Sequence, residues 1–170
     1  GAPAKFAAAG RDVPRKDLGM IAMAYSNCYV AQVAFGAKDM QTVNAFVEAD
    51  RHPGPSIVIA YCHCIAHGFD LKHGCEHQKM AVEAGLWPLY RSDPARAARG
   101  EPALKLDAGG ELKRKVTDFT HSETRFRMVQ KLNPERFERL QIEAQRDADR
   151  RTQLYRQLAE VRVTPSTDTE

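Results

Sequence analysis

"SIVIAYCHCIAHGFDLKHGCEH", Ser56–His77, holds three of the chain's four cysteines and four of its six histidines. Its opening run, Ser56–Tyr61, is β-branched and apolar and reads as a strand buried on both faces, as parallel strands are. The soft ligands follow directly on that strand. A self-contained zinc site shows two ligand pairs, such as C-x-x-C with a second pair well downstream. Here the first pair is C-x-C, and His67, His73, Cys75 and His77 follow at irregular spacing. Cys62, Cys64, His67 and Cys75 form one candidate zinc set. An iron–sulfur cluster needs four ligands, usually Cys, which this stretch does not supply unaided. One thiol could instead complete a cluster whose other ligands lie elsewhere, or the loop could carry incidental thiols. The spacing leaves these alternatives open.

Upstream, Leu18–Tyr25 ("LGMIAMAY") is a continuous apolar run that reads as another buried strand. "SNCYVAQVAFGA" fits a short helix, or a strand on the strength of its Val and Tyr. Asp39 can cap a helix through "MQTVNAFVEAD", with Met40, Val43, Phe46 and Val47 as its inward stripe. "RHPGP" ends that helix. Downstream, a helix over Glu76–Ala84 is stopped by Gly85, and "WPLYRSD" reads as a third strand. Alternating strand and helix predicts an α/β fold with a parallel sheet, in which ligands gather at loops after the carboxyl ends of strands. "YSNC" and "YCHCIAHG" are expected at such positions.

Past Ser92 the sequence turns charged and turn-rich, with one short strand expected at Ala103–Leu106. Thr120 with Glu123 fits a capping box for a helix through "HSETRFRMVQKL". Asn133 and Pro134 then start a helix to about Val161, with Phe137, Leu140, Ala144, Ala148, Leu154, Leu158 and Val161 inward. The opposite face, crowded with Arg, Asp and Glu, reads as solvated. These breaks divide the chain into 1–92, an α/β half-domain; 93–119, a surface excursion; 120–163, C-terminal helices; and 164–170, a frayed tail. A helical interaction protein acting through residues 120–161 is a further reading of the pattern.

Bulk properties narrow the field. Hydrophobic content of 43%, charged content of 28% and a net charge of +3 suit a globular protein and argue against a nucleic-acid binder. No apolar run approaches the ~20 residues that span a bilayer. The N-terminus lacks an initiator Met and a secretory apolar segment, and reads as beginning inside a longer polypeptide. Free thiols in a reducing cytoplasm are expected, since a Cys62–Cys64 bridge would be strained. Cys28 reads as a small buried hydrophobe, or a reactive thiol if it sits at a helix N-terminus. His52 and His121 read as surface residues at element edges. There is no Gly-rich phosphate loop, G-x-S-x-G or H-E-x-x-H motif, hence no complete catalytic set.

Several segments together resemble the C-terminal part of pyruvate:ferredoxin (flavodoxin) oxidoreductase: "AKFAAAG", "KDLGMIAMAYSNCYVAQVAFGA", "TVNAFVEAD", "PGPSIVIAYCHCIAHG", "WPLYR" and "NPERFERLQIEAQRDADRR". The likeness runs in order from about Ala4 to about Val161. It implies half of a thiamine diphosphate-binding, Rossmann-like domain with C-terminal helices. The implied reaction is oxidative decarboxylation of pyruvate to acetyl-CoA and CO2, with coenzyme A as acetyl acceptor. Electrons would pass through [4Fe–4S] clusters to ferredoxin or flavodoxin. The resemblance also implies a cytoplasmic homodimer that includes the remainder of its own polypeptide. Cys64, in "HCIAHG", matches the family position whose thiolate is the fourth ligand of the cluster nearest the thiamine. Cys62 falls where relatives vary between Ser and Cys and is not assigned. The family's diphosphate and Mg2+ motifs, and its cysteine-rich segment, are expected upstream of "AKFAAAG". "YSNCY" departs from the family pattern, so Asn27 and Cys28 receive no role.

Overall fold

The computed structural model describes residues 1–163; the tail expected over 164–170 lies outside the described residues. In chain order the elements are α1 (Leu18–Met23), β1 (Tyr29–Val33), α2 (Asp39–Arg51) and β2 (Ser56–Ala60). Two 3-10 turns, Ile65–His67 and Leu71–His73, lead into α3 (Gly74–Glu83), β3 (Leu89–Ser92), α4 (Pro94–Ala98) and β4 (Leu104–Ala108). Helices α5 (Val116–Ser122), α6 (Thr124–Leu132) and α7 (Pro134–Leu158) complete the fold. The α/β class holds. The four strands lie in the order β2-β1-β3-β4. Parallel pairing is confined to β1 with β2, joined through α2, whereas β3 runs antiparallel to β1 and β4 antiparallel to β3. The expectation of a wholly parallel sheet is thereby corrected. Helix α3 ends at Gly85, whose φ of 71° suits the left-handed turn into β3.

Three local expectations also change. Leu18–Tyr25 is largely helical, not a strand: the Asp17 side chain caps α1 by accepting from Met20 N–H at 3.1 Å. A short all-apolar run has no period to separate the two states. The stretch after it, left between helix and strand, contains β1, so "YSNC" precedes a strand instead of following one. Ser56–Ala60 is a strand as read, but every residue is exposed or partly exposed because β2 is the sheet edge. Like β3, β1 is buried throughout. Its Tyr29, Ala31 and Val33 pack with Ala45 of α2, and Val30 packs with Ala22, Tyr90 and Tyr155 on the opposite side.

Helix α2 turns its polar and small residues Gln41, Thr42 and Ala45 inward. The stripe expected to be buried faces out: Met40, Val43, Phe46 and Val47 are 40–60% exposed. Polar contacts bring the other face to the sheet. Gln41 Nε2 donates to Gln32 O and to Asp107 Oδ2, and Tyr29 Oη donates to Glu48. Arg91 closes the network, with a bidentate pair to Asp107 (Nε–Oδ2 2.8 Å, Nη2–Oδ1 2.9 Å) and a bond to Glu48.

The charged stretch past Ser92 supplies β4, as expected, and helix α4. The Thr120–Glu123 capping box is not formed. Thr120 lies inside α5, with its hydroxyl donating to Gln141 Oε1 at 2.8 Å. Asn133 caps α7 as read, accepting from Arg136 N–H at 3.0 Å, with Pro134 in the first turn. Phe137, Leu140 and Ala148 are buried as expected. Beyond them the inward face shifts to Thr152 and Tyr155, leaving Leu154 and Val161 exposed. Tyr155 stacks on Tyr90 at 4.7 Å and donates to Asp17 Oδ2 at 2.9 Å, which joins α7 to the cap of α1.

The Arg91–Asp107 pair is nearly dry, with side chains 9% and 6% exposed. Asp107→Ala strands the guanidinium without its bidentate partner. The expected loss is about 3 kcal/mol of unfolding free energy, measured by urea titration. A loss below about 1 kcal/mol, the range of an exposed pair, would contradict this assignment.

Candidate functional site

The loop after β2 is held by groups that face inward while its first thiol faces out. Tyr61 N–H donates to Val33 O at 2.9 Å, carrying the strand pairing one residue past β2. The chain then turns through Cys62–Gly68. Cys64 is exposed, caps the first 3-10 turn, and its Sγ accepts from Ala66 N–H at 3.4 Å. His67 N–H donates to Cys64 O at 3.0 Å, and Gly68 closes the turn at φ 76°.

Around this turn the side chains are bolted down. His63 Nδ1 lies 3.2 Å from Gln78 Nε2, and Gln78 Oε1 accepts from Gly36 N–H at 2.8 Å. A Cβ at Gly74 would come within 2.7 Å of the His63 ring, so glycine there admits the imidazole. Phe69 stacks on His77 at 3.9 Å, and His77 packs against Phe119 at 4.5 Å. His77 is buried and bonded through Nε2 to Glu123 Oε1 at 2.8 Å.

Glu123 is fully buried and sits in extended backbone between α5 and α6. Its other oxygen accepts from Arg125 Nε, and Oε1 also lies 3.5 Å from His67 Nδ1. That second imidazole is at ion-pair distance but makes no hydrogen bond through Nδ1 among the described residues. The next residue completes the junction. Gly68 O accepts both Thr124 N–H at 3.0 Å and Thr124 Oγ1–H at 2.7 Å. Thr124 N–H is one of the amides a helix start leaves unpaired, and the loop satisfies it.

The expected site residues are thereby separated. Cys62, Cys64 and Cys75 are all exposed, whereas His67 and His77 turn towards Glu123. Cys75 lies on α3 with its backbone against Gly36, where an added Cβ would approach its Cα to 2.6 Å. Among the described residues no group of three or more His, Cys, Asp or Glu is arranged to hold a metal ion. The zinc set of Cys62, Cys64, His67 and Cys75 is not assembled. Cys28 is buried before β1, its thiol donating to Tyr29 O at 3.5 Å, as a packed hydrophobe would be. His121 is exposed at the end of α5, and His52 closes α2 with Nε2 2.9 Å from Asn27 O. Glu123 and Gln78 are the organising residues that the spacing argument missed. Glu123 read as the far member of a capping box with Thr120, but its histidine partners lie 46 and more residues away.

Burial shapes the titration of this region. Tyr61 is pushed up to about 12, chiefly by burial and then by the charge of Glu123. His67 is held below the ordinary histidine value by burial and by the Arg125 charge, which together outweigh Glu123. The unfolded chain therefore takes up the His67 proton before the folded chain does. Stability contributed by neutral His67 is complete above about pH 6.5 and declines as pH falls towards its lowered pKa. Urea unfolding from about pH 7 to pH 5 is expected to show this decline, and His67→Gln to flatten part of it. An unchanged slope in the variant would contradict the assignment.

No family model matches the chain. A pyruvate-flavodoxin oxidoreductase of Rhodospirillum rubrum is 50% identical over 161 residues, which is 95% of this chain and 13% of that protein. One of Trichormus variabilis is 46% identical over 96% of the chain and 14% of its own length. A pyruvate:ferredoxin oxidoreductase of Moorella thermoacetica is 42% identical over 94% of the chain and 14% of its own length. The chain spans about one seventh of these curated relatives. Over nearly all of its own length, it matches a segment of the pyruvate:ferredoxin (flavodoxin) oxidoreductase family.

Proposed function

We propose that this chain is the C-terminal part of an enzyme that oxidatively decarboxylates pyruvate to acetyl-CoA and CO2, with electrons leaving through [4Fe–4S] clusters to ferredoxin or flavodoxin. The observation that carries this reading is the 40–50% identity of its relatives across nearly the whole chain. In this reading Cys64 is the fourth protein ligand of one cluster. Cluster ligation needs an accessible thiol on a firm support, and Cys64 has both: an exposed sulfur, and a turn tied to α3, α5 and α6. The donor set fits a single contribution, because Cys62 and Cys75 do not gather with Cys64 around one point. A bound cluster supplies one-electron transfer. This chain's residues supply the rest of the local environment. Ala66 N–H stabilises charge on the Cys64 sulfur, and the packed rings of Phe69, His77 and Phe119 support the loop that follows the turn.

The surfaces support membership of a larger assembly. Exposed Met40, Val43, Phe46 and Val47 form an apolar stripe on α2, and the β2 edge is unpaired among the described residues. The remainder of the polypeptide, with a second subunit of a cytoplasmic homodimer, would cover such faces. No helix among the described residues is long and apolar enough to cross a membrane. Thiamine diphosphate, Mg2+ and coenzyme A belong to the complete enzyme in this reading, with no ligand assigned to them here.

Two measurements test the reading. The isolated chain, given pyruvate, thiamine diphosphate, coenzyme A and a viologen, is expected to reduce no acceptor; sustained reduction would contradict it. In the complete enzyme, Cys64→Ser is expected to remove the electron-paramagnetic signal of one cluster and to lower pyruvate-dependent viologen reduction by about 100-fold or more. Full cluster content with unchanged turnover would overturn the ligand role.

A further inference from the structure

A buried carboxyl group with three basic neighbours, lying outside any reacting group, invites a reason for its place. Glu123 is fully buried, yet the loop that reaches it is a surface loop whose neighbours Cys64 and Ile65 are exposed. Two hydrogen-bonded tethers and one close approach converge where α5 meets α6. Glu123 holds His77 from α3 and faces His67 from the turn, while Thr124 holds Gly68 O through both its amide and its hydroxyl. Gly68 fits only as glycine: its φ is 76°, and an added Cβ would lie 2.6 Å from Thr124 Cβ. Gly68, held by Thr124, and His67, which faces Glu123, close the turn that begins at Cys64. That turn aims Ala66 N–H at the Cys64 sulfur.

We propose that Glu123 and Thr124 are positioning residues for the Cys64 sulfur: they fix the turn so that Sγ keeps both its outward aim and its N–H partner. The inference rests on the reading of Cys64 as a cluster ligand. Hydrogen bonds to cluster sulfurs set reduction potential and magnetic anisotropy, so a loosened turn alters both at this cluster alone. A residue that only stabilises the fold would leave them unchanged.

The test uses the complete enzyme carrying Glu123→Gln or the exposed Thr124→Val, with His67→Gln as a further, partly exposed variant should the buried substitution fail to fold. Hydrogen exchange read by mass spectrometry over residues 62–73 is expected to quicken by about tenfold, the factor one lost hydrogen-bonded anchor gives. The midpoint potential and g-values of the cluster that Cys64→Ser abolishes are expected to shift, with the other clusters unmoved. Faster exchange with an unaltered potential and g-values would overturn the positioning role, as would unaltered exchange, or equal shifts at every cluster. If Cys64→Ser leaves all clusters intact, the ligand reading itself falls and takes this inference with it. If Cys64→Ser removes one cluster while the other variants change nothing, only the positioning role falls.

Discussion

The bond between buried Glu123 and buried His77 ties together parts of the chain that nothing local would join. A carboxyl group taken out of water destabilises the fold unless its oxygens are satisfied. Here His77 and Arg125 satisfy them, and each comes from a different helix. His77 brings α3, Arg125 brings α6, and Glu123 itself breaks the helical path between α5 and α6. The loop after β2 is folded over this junction through His67, Gly68 and Phe69. An exposed thiol can therefore occupy a fixed place, with Ala66 N–H as its hydrogen-bond partner.

The sheet divides the molecule into a part that packs on itself and a part that faces outward. β1 and β3 are buried throughout, and the Arg91 network locks α2 over them. β2 and the outer stripe of α2 form an apolar, unpaired border on one side of the sheet. Cys64 follows directly from that border strand. A ligand that completes a cluster held elsewhere must stand at such a boundary, where groups outside the packed core can approach it.

Much of this was legible from residue types and spacing. Pro, Gly and Asn punctuation located α2, α3 and α7 because caps and breakers act within a few residues. Leu18–Tyr25 misled because a short apolar run fits a helix as well as a strand, and Asp17 decided the matter through a single cap. Met40, Val43, Phe46 and Val47 marked a true amphipathic helix, but apolar period does not say whether the apolar face meets this chain or another. Thr120 and Glu123 fitted a local capping box, yet tertiary partners were stronger: Gln141 for the hydroxyl and His77 for the carboxyl group. The cysteine spacing alone left three readings of Cys64 open. Resemblance singled it out, and the geometry supplies an accessible sulfur on a tethered turn.

The most direct test is an experimental structure of the complete enzyme at a resolution that separates individual iron–sulfur bonds. The account predicts continuous density from Cys64 Sγ to one iron of a cluster whose other three protein ligands come from elsewhere in the polypeptide. An iron coordinated instead by Cys62, Cys75 or a residue outside this chain, with the Cys64 sulfur unligated, would contradict it.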